Sequence, residues 1–185
     1  MNPSPNLVFI GPMGAGKTSI GKRIAALMQL QFVDVDQRLE ELTGARIPLI
    51  FECEGEAGFR ARESALILQL CSRQGQLIAT GGGAVLAEAN RAALRANGFV
   101  VHLDVDVERR LRRLARDTSR PLLASGDRRE ILTSLAAQRG ALYVQTADLR
   151  FDPGDVGVAT AADRLYRLLA SEWQRSTRAS AADVA

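Results

Sequence analysis

The stretch Gly11-Pro-Met-Gly-Ala-Gly-Lys-Thr18 decides the fold class of this 185-residue chain. It matches the pattern G-x-x-x-x-G-K-[S/T], follows the apolar run at residues 7–10 and opens a segment of helical spacing. In a strand–loop–helix context, the backbone N–H groups of such a loop and the positive end of the helix bind phosphate. The stretch therefore predicts a site for a nucleoside triphosphate.

The residue types inside this loop each suit a triphosphate with its metal ion. Glycine at Gly14 and Gly16 lets the backbone wrap closely around phosphate. Lys17 supplies a flexible positive charge for the β- and γ-phosphates, and Thr18 offers a hydroxyl to Mg²⁺. The predicted nucleotide-binding residues of the loop are Gly14, Ala15, Gly16, Lys17, Thr18 and Ser19.

Short apolar runs alternate with longer segments of helical spacing along the chain. Such alternation predicts βαβ units and a parallel sheet covered by helices on both faces, which is an α/β fold. Since 185 residues are too few for two ordinary domains, we expect one domain over residues 1–175 and a disordered tail at 176–185. The five runs predicted as strands are residues 7–10, 31–35, 77–80, 99–105 and 149–151.

Charge and composition exclude several functional classes. The formal charge is only +3, and the Arg-rich stretch at residues 109–129 is interleaved with acids and lacks aromatic residues, which disfavours a nucleic-acid partner. No apolar run approaches about 18 residues, and no basic segment leads into an apolar one near Met1, so we expect neither a membrane span nor a signal peptide. Two cysteines and one histidine are too few for a zinc site of Cys and His. We expect a cytoplasmic protein with reduced thiols.

Two aspartates lie at the end of the second predicted strand. Alternation along a strand places Asp34 and Asp36, two residues apart, on the same side of it, at the sheet edge where α/β folds bind ligands. One carboxylate would then approach the hydration shell of Mg²⁺ while the other accepts a hydrogen bond from an acceptor hydroxyl. The alternative is that Asp36 serves only as the N-cap of the following helix.

Further along, two motifs predict a small anionic acceptor. Arg60 and Glu63 are three residues apart on a predicted helix, so the carboxylate can hold the guanidinium in place for a carboxylate or phosphate. The alternative is an exposed ion pair that contributes little. Gly81, Gly82 and Gly83 follow the third strand and leave their backbone N–H groups open to a ligand.

Two segments fit the alternation of strands and helices poorly. Residues 44–58 contain Gly, Pro and acidic residues, and residues 116–129 are polar, Arg-rich and broken by Pro and Gly. Long loops inside a compact domain usually act as flaps or lids. Both segments are therefore predicted to be mobile loops.

Six motifs resemble, in their order and spacing, those of the shikimate kinase family: GPMGAGKT, DVDQ, GFRARE, ATGGG, SRPLL and RGALY. The resemblance covers about residues 7–147. It implies the three-layer fold of P-loop nucleoside monophosphate kinases, with a five-stranded parallel sheet in the order 2-3-1-4-5, a shikimate-binding segment at about residues 36–63 and a lid at about 116–129. It also implies a cytoplasmic monomer that uses ATP and Mg²⁺ to phosphorylate the 3-hydroxyl of shikimate, without nucleic-acid or membrane partners.

The same resemblance implies roles for individual residues. Arg60 and Arg139 would clamp the substrate carboxylate, and Asp36 would orient or deprotonate the acceptor hydroxyl. The residues implied as catalytic are Lys17, Asp36 and Arg120, the last of which belongs to the lid and would also contact the nucleotide. The others implied are Glu63 beside Arg60, Gly81, Gly82 and Gly83 in the substrate pocket, Thr18 and Asp34 at Mg²⁺, and Arg113 near adenine.

Alternatives remain for the acceptor, for catalysis and for the metal. A gluconate kinase or a nucleoside monophosphate kinase would share the core, and a non-catalytic ATP-binding regulator would keep the fold without the reaction. Asp104, after the fourth apolar run, resembles the metal-binding aspartate of a generic Walker B strand, whereas the family resemblance gives that role to Thr18 and Asp34. The loop DPGDVGV after Phe151 matches the adenine-side family pattern poorly and is left unassigned.

Overall fold

Seven strands are present in the computed structural model, which describes residues 2–115 and 126–176. They are β1 (Asn2–Ser4), β2 (Asn6–Ile10), β3 (Gln31–Asp34), β4 (Gln76–Ala79), β5 (Gly98–Leu103), β6 (Leu149–Phe151) and β7 (Trp173–Arg175). Five of them form a parallel sheet in the order β3-β4-β2-β5-β6. Numbered within this sheet, the order is 2-3-1-4-5, so the predicted topology is confirmed.

Helices cover both faces of this sheet. The described ranges contain α1 (Lys17–Leu27), α2 (Val35–Thr43), α3 (Ile47–Cys71), α4 (Glu88–Asn97), α5 (Val107–Leu114), α6 (Arg128–Thr146) and α7 (Val158–Glu172). Along β2, Leu7 and Phe9 pack with α1 and α7, while Val8 and Ile10 pack with α2, α3 and α4 on the opposite face. Because successive side chains of a strand point to opposite faces, a continuous apolar run fits a strand that is covered twice. The predicted three-layer α/β fold is confirmed.

A second, two-stranded sheet joins the two ends of the described chain. Strand β1 pairs in parallel with β7, in a register that places Ser4 opposite Arg175. The indole Nε1 of buried Trp173 donates a hydrogen bond of 3.2 Å to the carbonyl of Ser4. This closure lies next to the start of β2, because only one residue separates β1 from β2.

The segment 44–58 differs from the predicted loop. Helix α3 begins at Ile47 and carries Pro48 in its first turn, where the missing N–H of proline costs no helical hydrogen bond. The helix bends at Gly55, whose φ of 68° lies in the left-handed region that glycine adopts without strain. The loop prediction is wrong for residues 47–58, because the residues that suggested breaks sit at the helix start and at a bend.

The fold brings the ends of several elements to one edge of the sheet. The carboxyl ends of β2 and β3 lie there, followed by the N-termini of α1 and α2. Strand β2 pairs with β4 on one side and with β5 on the other, so the strand order reverses at β2. In open α/β sheets, the crevice at such a switch point binds ligands. No helix in the described ranges is long and apolar enough to cross a membrane.

Candidate active site

The phosphate-binding loop connects β2 to α1. Gly16 is the N-cap of α1 and has a φ of 93°, which strains any residue with a Cβ atom. The Lys17 ammonium donates hydrogen bonds to the carbonyls of Gly11, at 2.7 Å, and Pro12, at 2.9 Å. The side chain therefore lies back over the loop and keeps its charge beside the helix N-terminus, where loops of this kind bind phosphate.

A first cavity of about 670 Å³ opens beside this loop. The Arg113 guanidinium donates hydrogen bonds to the carbonyls of Gly14, at 3.3 Å, and Gly154, at 2.9 Å, and so ties the phosphate loop to the loop after β6. That second loop, whose sequence matches the family pattern poorly, supplies an apolar wall. The predicted residues that line the cavity are Gly14, Gly16, Lys17, Thr18, Ser19, Asp34 and Arg113, and the wall is formed by Pro153, Val156 and Val158.

A hydroxyl and a carboxylate are paired at the phosphate end of the first cavity. The Thr18 hydroxyl donates a hydrogen bond of 2.6 Å to Oδ2 of Asp34. Oxygen ligands of this kind suit Mg²⁺, which usually takes one or two protein groups together with phosphate oxygens and water. Within the part of the chain that the structure describes, no group of three His, Cys, Asp or Glu forms a dedicated metal cage. The pair therefore fits an ion shared with the phosphates of a nucleotide.

Asp34 and Asp36 do not lie on one side of a strand. Strand β3 ends at Asp34, and α2 begins at Val35. Oδ1 of Asp34 accepts hydrogen bonds from the backbone N–H groups of Asp36, at 3.1 Å, and Gln37, at 3.3 Å, so Asp34 rather than Asp36 is the N-cap. The alternation argument is wrong because the strand stops one residue before the apolar run does. The helix start nevertheless brings both aspartates to the first cavity.

A second cavity of about 320 Å³ lies between α2, α3, α6 and the glycine loop. It brings together the sequence-predicted residues Asp36, Arg60, Glu63, Gly81, Gly82, Gly83 and Arg139. Its apolar wall consists of Phe51 and Phe59, whose ring centroids are 4.8 Å apart. These two residues are eight apart on α3, about 12 Å along a straight helix, and the non-helical backbone of Gly55 lies between them. Helical spacing alone therefore does not predict their contact. Other lining residues missed from sequence are Gln37, Glu40, Arg46 and Ile47.

The Arg60–Glu63 pair is buried on its acidic side. Nη1 of Arg60 lies 2.6 Å from Oε2 of Glu63, whose side chain is 0% exposed, against 22% for Arg60. Burial raises the pKa of Glu63, and the guanidiniums of Arg60 and Arg139 oppose that shift. Burial alone would lower the pKa of Arg60, but the carboxylates of Glu63 and Glu56 raise it overall. The alternative of an exposed ion pair is excluded, and Arg60 is a fixed cation at the cavity.

Arg139 brings a second cation from α6. Arg139 is only 5% exposed, and its Nε atom has no hydrogen-bond partner among the described residues. An unpaired buried donor costs free energy, and a guanidinium presents its donors in a planar fork that matches a carboxylate. The position of Arg139 therefore fits an anionic ligand in the second cavity.

The glycine loop lets charged groups approach its backbone. A Cβ atom on Gly81 would lie 2.5 Å from Oε1 of Glu63 and 2.8 Å from Oδ1 of Asp36. A Cβ atom on Gly83 would overlap the guanidinium of Arg60. Residues with side chains would therefore push the carboxylates and the guanidinium out of the cavity, because real Cβ atoms do not approach other atoms so closely.

The two cavities meet around Asp36. Both are lined by Met13, Thr18, Asp34, Asp36, Gly81 and Gly82. A ligand held by the arginines of the second cavity would therefore face the phosphate end of the first. The arrangement can transfer a phosphoryl group from a nucleotide to a small anionic acceptor, with a carboxylate at the point of transfer.

Three residues of interest lie away from the cavities or beyond the described ranges. The side chain of Ala15 is buried in the core, and its N–H donates to the carbonyl of Pro12 at 3.3 Å. The carboxylate of Asp104 accepts a hydrogen bond of 2.7 Å from Nε of Arg150 and lines neither cavity. Arg120 lies outside the described residues, as does most of the predicted lid at 116–129.

Comparisons with known proteins identify the family of this chain. A family model described as Shikimate kinase matches residues 13–170. Shikimate kinase of Stenotrophomonas maltophilia strain K279a is 51% identical over 175 residues, which cover 95% of this chain and 97% of the relative. Shikimate kinase of Xanthomonas axonopodis pv. citri strain 306 is 49% identical over 177 residues, or 96% and 98% of the two chains.

A solved structure shows the same likeness in three dimensions. Shikimate kinase from Acinetobacter baumannii in complex with shikimate matches with a TM-score of 0.88 at 40% identity. The match covers 91% of this chain and 94% of that chain. The resemblance inferred from six motifs thus extends over most of the sequence and over the fold. The chain belongs to the shikimate kinase family.

Proposed function

We propose that this chain transfers the γ-phosphoryl group of ATP to the 3-hydroxyl of shikimate, giving shikimate 3-phosphate and ADP. The observation that carries the proposal is the junction of the two cavities, where Asp36 lies between the phosphate loop and a pocket with two arginines. Membership of the family supports ATP and Mg²⁺ as cofactors. The structure from A. baumannii, solved in complex with shikimate, supports the choice of acceptor.

Arg60 and Arg139 hold the carboxylate of the acceptor in this mechanism. Both line the second cavity, Arg60 paired with buried Glu63 and Arg139 with an unpartnered Nε in the described ranges. Paired hydrogen bonds from planar guanidiniums fix the orientation of a carboxylate as well as its position. The acceptor ring is thereby oriented so that one hydroxyl faces the phosphate end.

Asp36 receives the proton of the attacking hydroxyl. The hydroxyl oxygen forms a bond to the γ-phosphorus, the bond from that phosphorus to the bridging oxygen breaks, and ADP leaves with the electron pair. The hydroxyl proton passes to the Asp36 carboxylate, which lies at the boundary of the two cavities. The carboxylate also orients the hydroxyl before the proton moves, which is a large part of catalysis in phosphoryl transfer.

Lys17 and the backbone N–H groups of the phosphate loop stabilise the charge on the triphosphate. Thr18 and Asp34 would hold Mg²⁺ through their side-chain oxygens, and the bound ion supplies positive charge to the β- and γ-phosphate oxygens. Arg113 lines the first cavity and is bonded to the loop that forms its apolar wall, where it would lie near the base. On the resemblance of the SRPLL motif alone, we propose that Arg120 faces the transferred phosphoryl group when the lid closes.

A coupled assay of ADP release tests the proposal directly. The purified chain is supplied with ATP and Mg²⁺ together with shikimate, gluconate, AMP or CMP, one acceptor at a time. We expect turnover with shikimate only. Turnover with gluconate or with a nucleoside monophosphate would assign the chain to another kinase activity. ATP binding without turnover on any acceptor would instead indicate a non-catalytic regulator.

We also propose that the chain acts as a cytoplasmic monomer with a single kinase domain over residues 1–175, without nucleic-acid or membrane partners. In the described residues, one chain lines both cavities, and the helices and loops that carry the site surround one sheet, which supports a complete site in each copy. Light scattering of the purified chain is expected to give a mass near 20.0 kDa. A mass of about twice that value would contradict the monomer.

Replacing Asp34 and Asp104 separately by asparagine distinguishes the two candidate metal carboxylates. Asp34→Asn removes the charge beside the Thr18 hydroxyl, so we expect the Mg²⁺ concentration for half-maximal turnover to rise about tenfold or more. Asparagine is also a good N-cap, so α2 keeps its first turn. Asp104→Asn weakens only contacts outside the cavities, such as that with Arg150, and turnover should stay within about twofold.

Magnesium titrations of the turnover rate measure both effects on the same scale. An inactive Asp104→Asn variant beside an active Asp34→Asn variant would show that the metal assignment is wrong. In that case Asp104, after β5, would be the metal ligand, as a generic Walker B aspartate.

A further inference from the structure

Tyr143 links three parts of the site without lining either cavity. Its hydroxyl donates a hydrogen bond of 2.5 Å to the carbonyl of Gly82, and the residue is only 3% exposed. Burial raises the pKa of Tyr143 to about 12, so the hydroxyl stays protonated and able to donate. Tyr143 is the last residue of the RGALY motif, whose arginine, Arg139, is proposed to bind the acceptor carboxylate.

The hydrogen bond fixes the orientation of one peptide group in the glycine loop. The carbonyl of Gly82 and the N–H of Gly83 belong to the same planar, trans peptide, in which they point in opposite directions. Holding the carbonyl toward Tyr143 therefore directs the Gly83 N–H away from Tyr143, in the same peptide plane. Gly83 lines the second cavity, where its Cα lies against the Arg60 guanidinium.

Tyr143 and Arg139 act from the same face of α6. They are four residues apart, which places them one above the other on a helix, and both are buried. The positive charge of the Arg139 guanidinium lowers the pKa of Tyr143 against the effect of burial. The hydroxyl is therefore bonded to the glycine loop and lies within the electrostatic influence of the cation proposed to bind the acceptor carboxylate.

The ring of Tyr143 packs on His102, which lies next to the phosphate loop. It stacks on the His102 ring of β5, with centroids 5.0 Å apart and planes at 25°. His102 in turn lies beside Gly11, where an added Cβ atom would be 3.4 Å from its Cδ2 atom. The Cα of Gly82 likewise faces the backbone of the phosphate loop, since an added Cβ would lie 3.4 Å from the nitrogen of Met13.

We propose that Tyr143 is a positioning residue for the acceptor substrate. Its hydroxyl holds the Gly82–Gly83 peptide against the phosphate loop and keeps the Arg139 guanidinium in register with it, so that the donors of the second cavity converge on one anion. The inference rests on the proposed function, because it concerns how the same site binds shikimate. It predicts an effect on the acceptor that is separate from any effect on ATP.

Tyr143→Phe removes the hydroxyl and keeps the ring that stacks on His102. Because one hydrogen bond is lost, we expect the KM for shikimate to rise roughly three- to tenfold, with the KM for ATP within about twofold of wild type. The matched control is Tyr166→Phe, which removes the other tyrosine hydroxyl of the chain, on α7 at 39% exposure. Initial-rate kinetics and urea unfolding midpoints are measured for both variants.

The two KM values of Tyr143→Phe distinguish a positioning role from a purely structural one. A rise confined to the KM for shikimate supports a positioning role even where the urea midpoint falls, because loss of a buried hydrogen bond costs stability by itself. A Tyr143→Phe variant that behaves like Tyr166→Phe, or one that raises both KM values together, overturns it. A second experiment combines Tyr143→Phe with Arg139→Lys. The double variant should raise the KM for shikimate by a factor smaller than the product of the two single factors, because both substitutions act on one anion site. Wild-type chain that releases no ADP with shikimate refutes the proposed function itself.

Discussion

Asp36→Asn is expected to lower kcat by a factor of roughly 10² to 10⁴ while the KM for ATP stays within about twofold. The amide has the shape of the carboxylate but does not take the proton of the acceptor hydroxyl, so the loss falls on the chemical step. Asp36 lies in the first turn of α2, where loss of a negative charge costs only about 0.3–1 kcal/mol of stability. The variant therefore stays folded, and initial-rate kinetics with ATP and shikimate measure the effect.

The control for Asp36 is an aspartate of the same chain outside the site. Asp163 on α7 is half-exposed and lies 3.7 Å from Arg23, so Asp163→Asn changes the same charge at the surface. Its kcat should equal that of the wild type. If Asp36→Asn also keeps its kcat within about threefold, the carboxylate is not the proton acceptor and the assignment fails.

Arg139→Lys is expected to raise the KM for shikimate roughly 10- to 100-fold, well above its effect on the KM for ATP. Lysine keeps the positive charge but replaces a planar fork of donors with a single ammonium group. A carboxylate then loses the paired hydrogen bonds that fix its orientation. Steady-state kinetics with each substrate varied in turn measure the two KM values.

Arg23→Lys is the matched control for this exchange. Arg23 is about half-exposed on α1 and pairs loosely with Asp163, so the same chemical change there should leave both KM values unaltered. An Arg139→Lys variant that raises both KM values by the same factor would contradict a specific role at the acceptor. It would indicate that Arg139 supports the structure of the site as a whole.

The phosphate loop could be predicted from sequence because its chemistry is local. Eight consecutive residues, Gly11 to Thr18, carry the glycines, the lysine and the hydroxyl, and the preceding apolar run identifies the strand. Periodicity alone predicted a parallel sheet. The order of its strands came from the family resemblance, because the pairing of β2 with β4 and β5 joins segments far apart in the chain.

Two features of the acceptor side depend on geometry that local patterns do not contain. Asp34 and Asp36 were placed by strand alternation, but the backbone turns into α2 after Asp34, and the cap rather than the strand positions them. The burial of Glu63 distinguishes a fixed Arg60 from a surface ion pair. That burial arises where the Gly81 backbone packs against α3, a contact between residues 18 apart that no helical spacing predicts.

The closure of the chain ends by β1 and β7 has a consequence for spectroscopy. Trp173 is the single tryptophan, and it lies 15 residues beyond Val158, which lines the first cavity. At 1.5 Å per helical residue, α7 separates the indole from that cavity by about 22 Å. Intrinsic indole fluorescence therefore reports the opening of the terminal strand pair, whereas arrival of nucleotide or acceptor needs an extrinsic dye or a tryptophan introduced near the glycine loop.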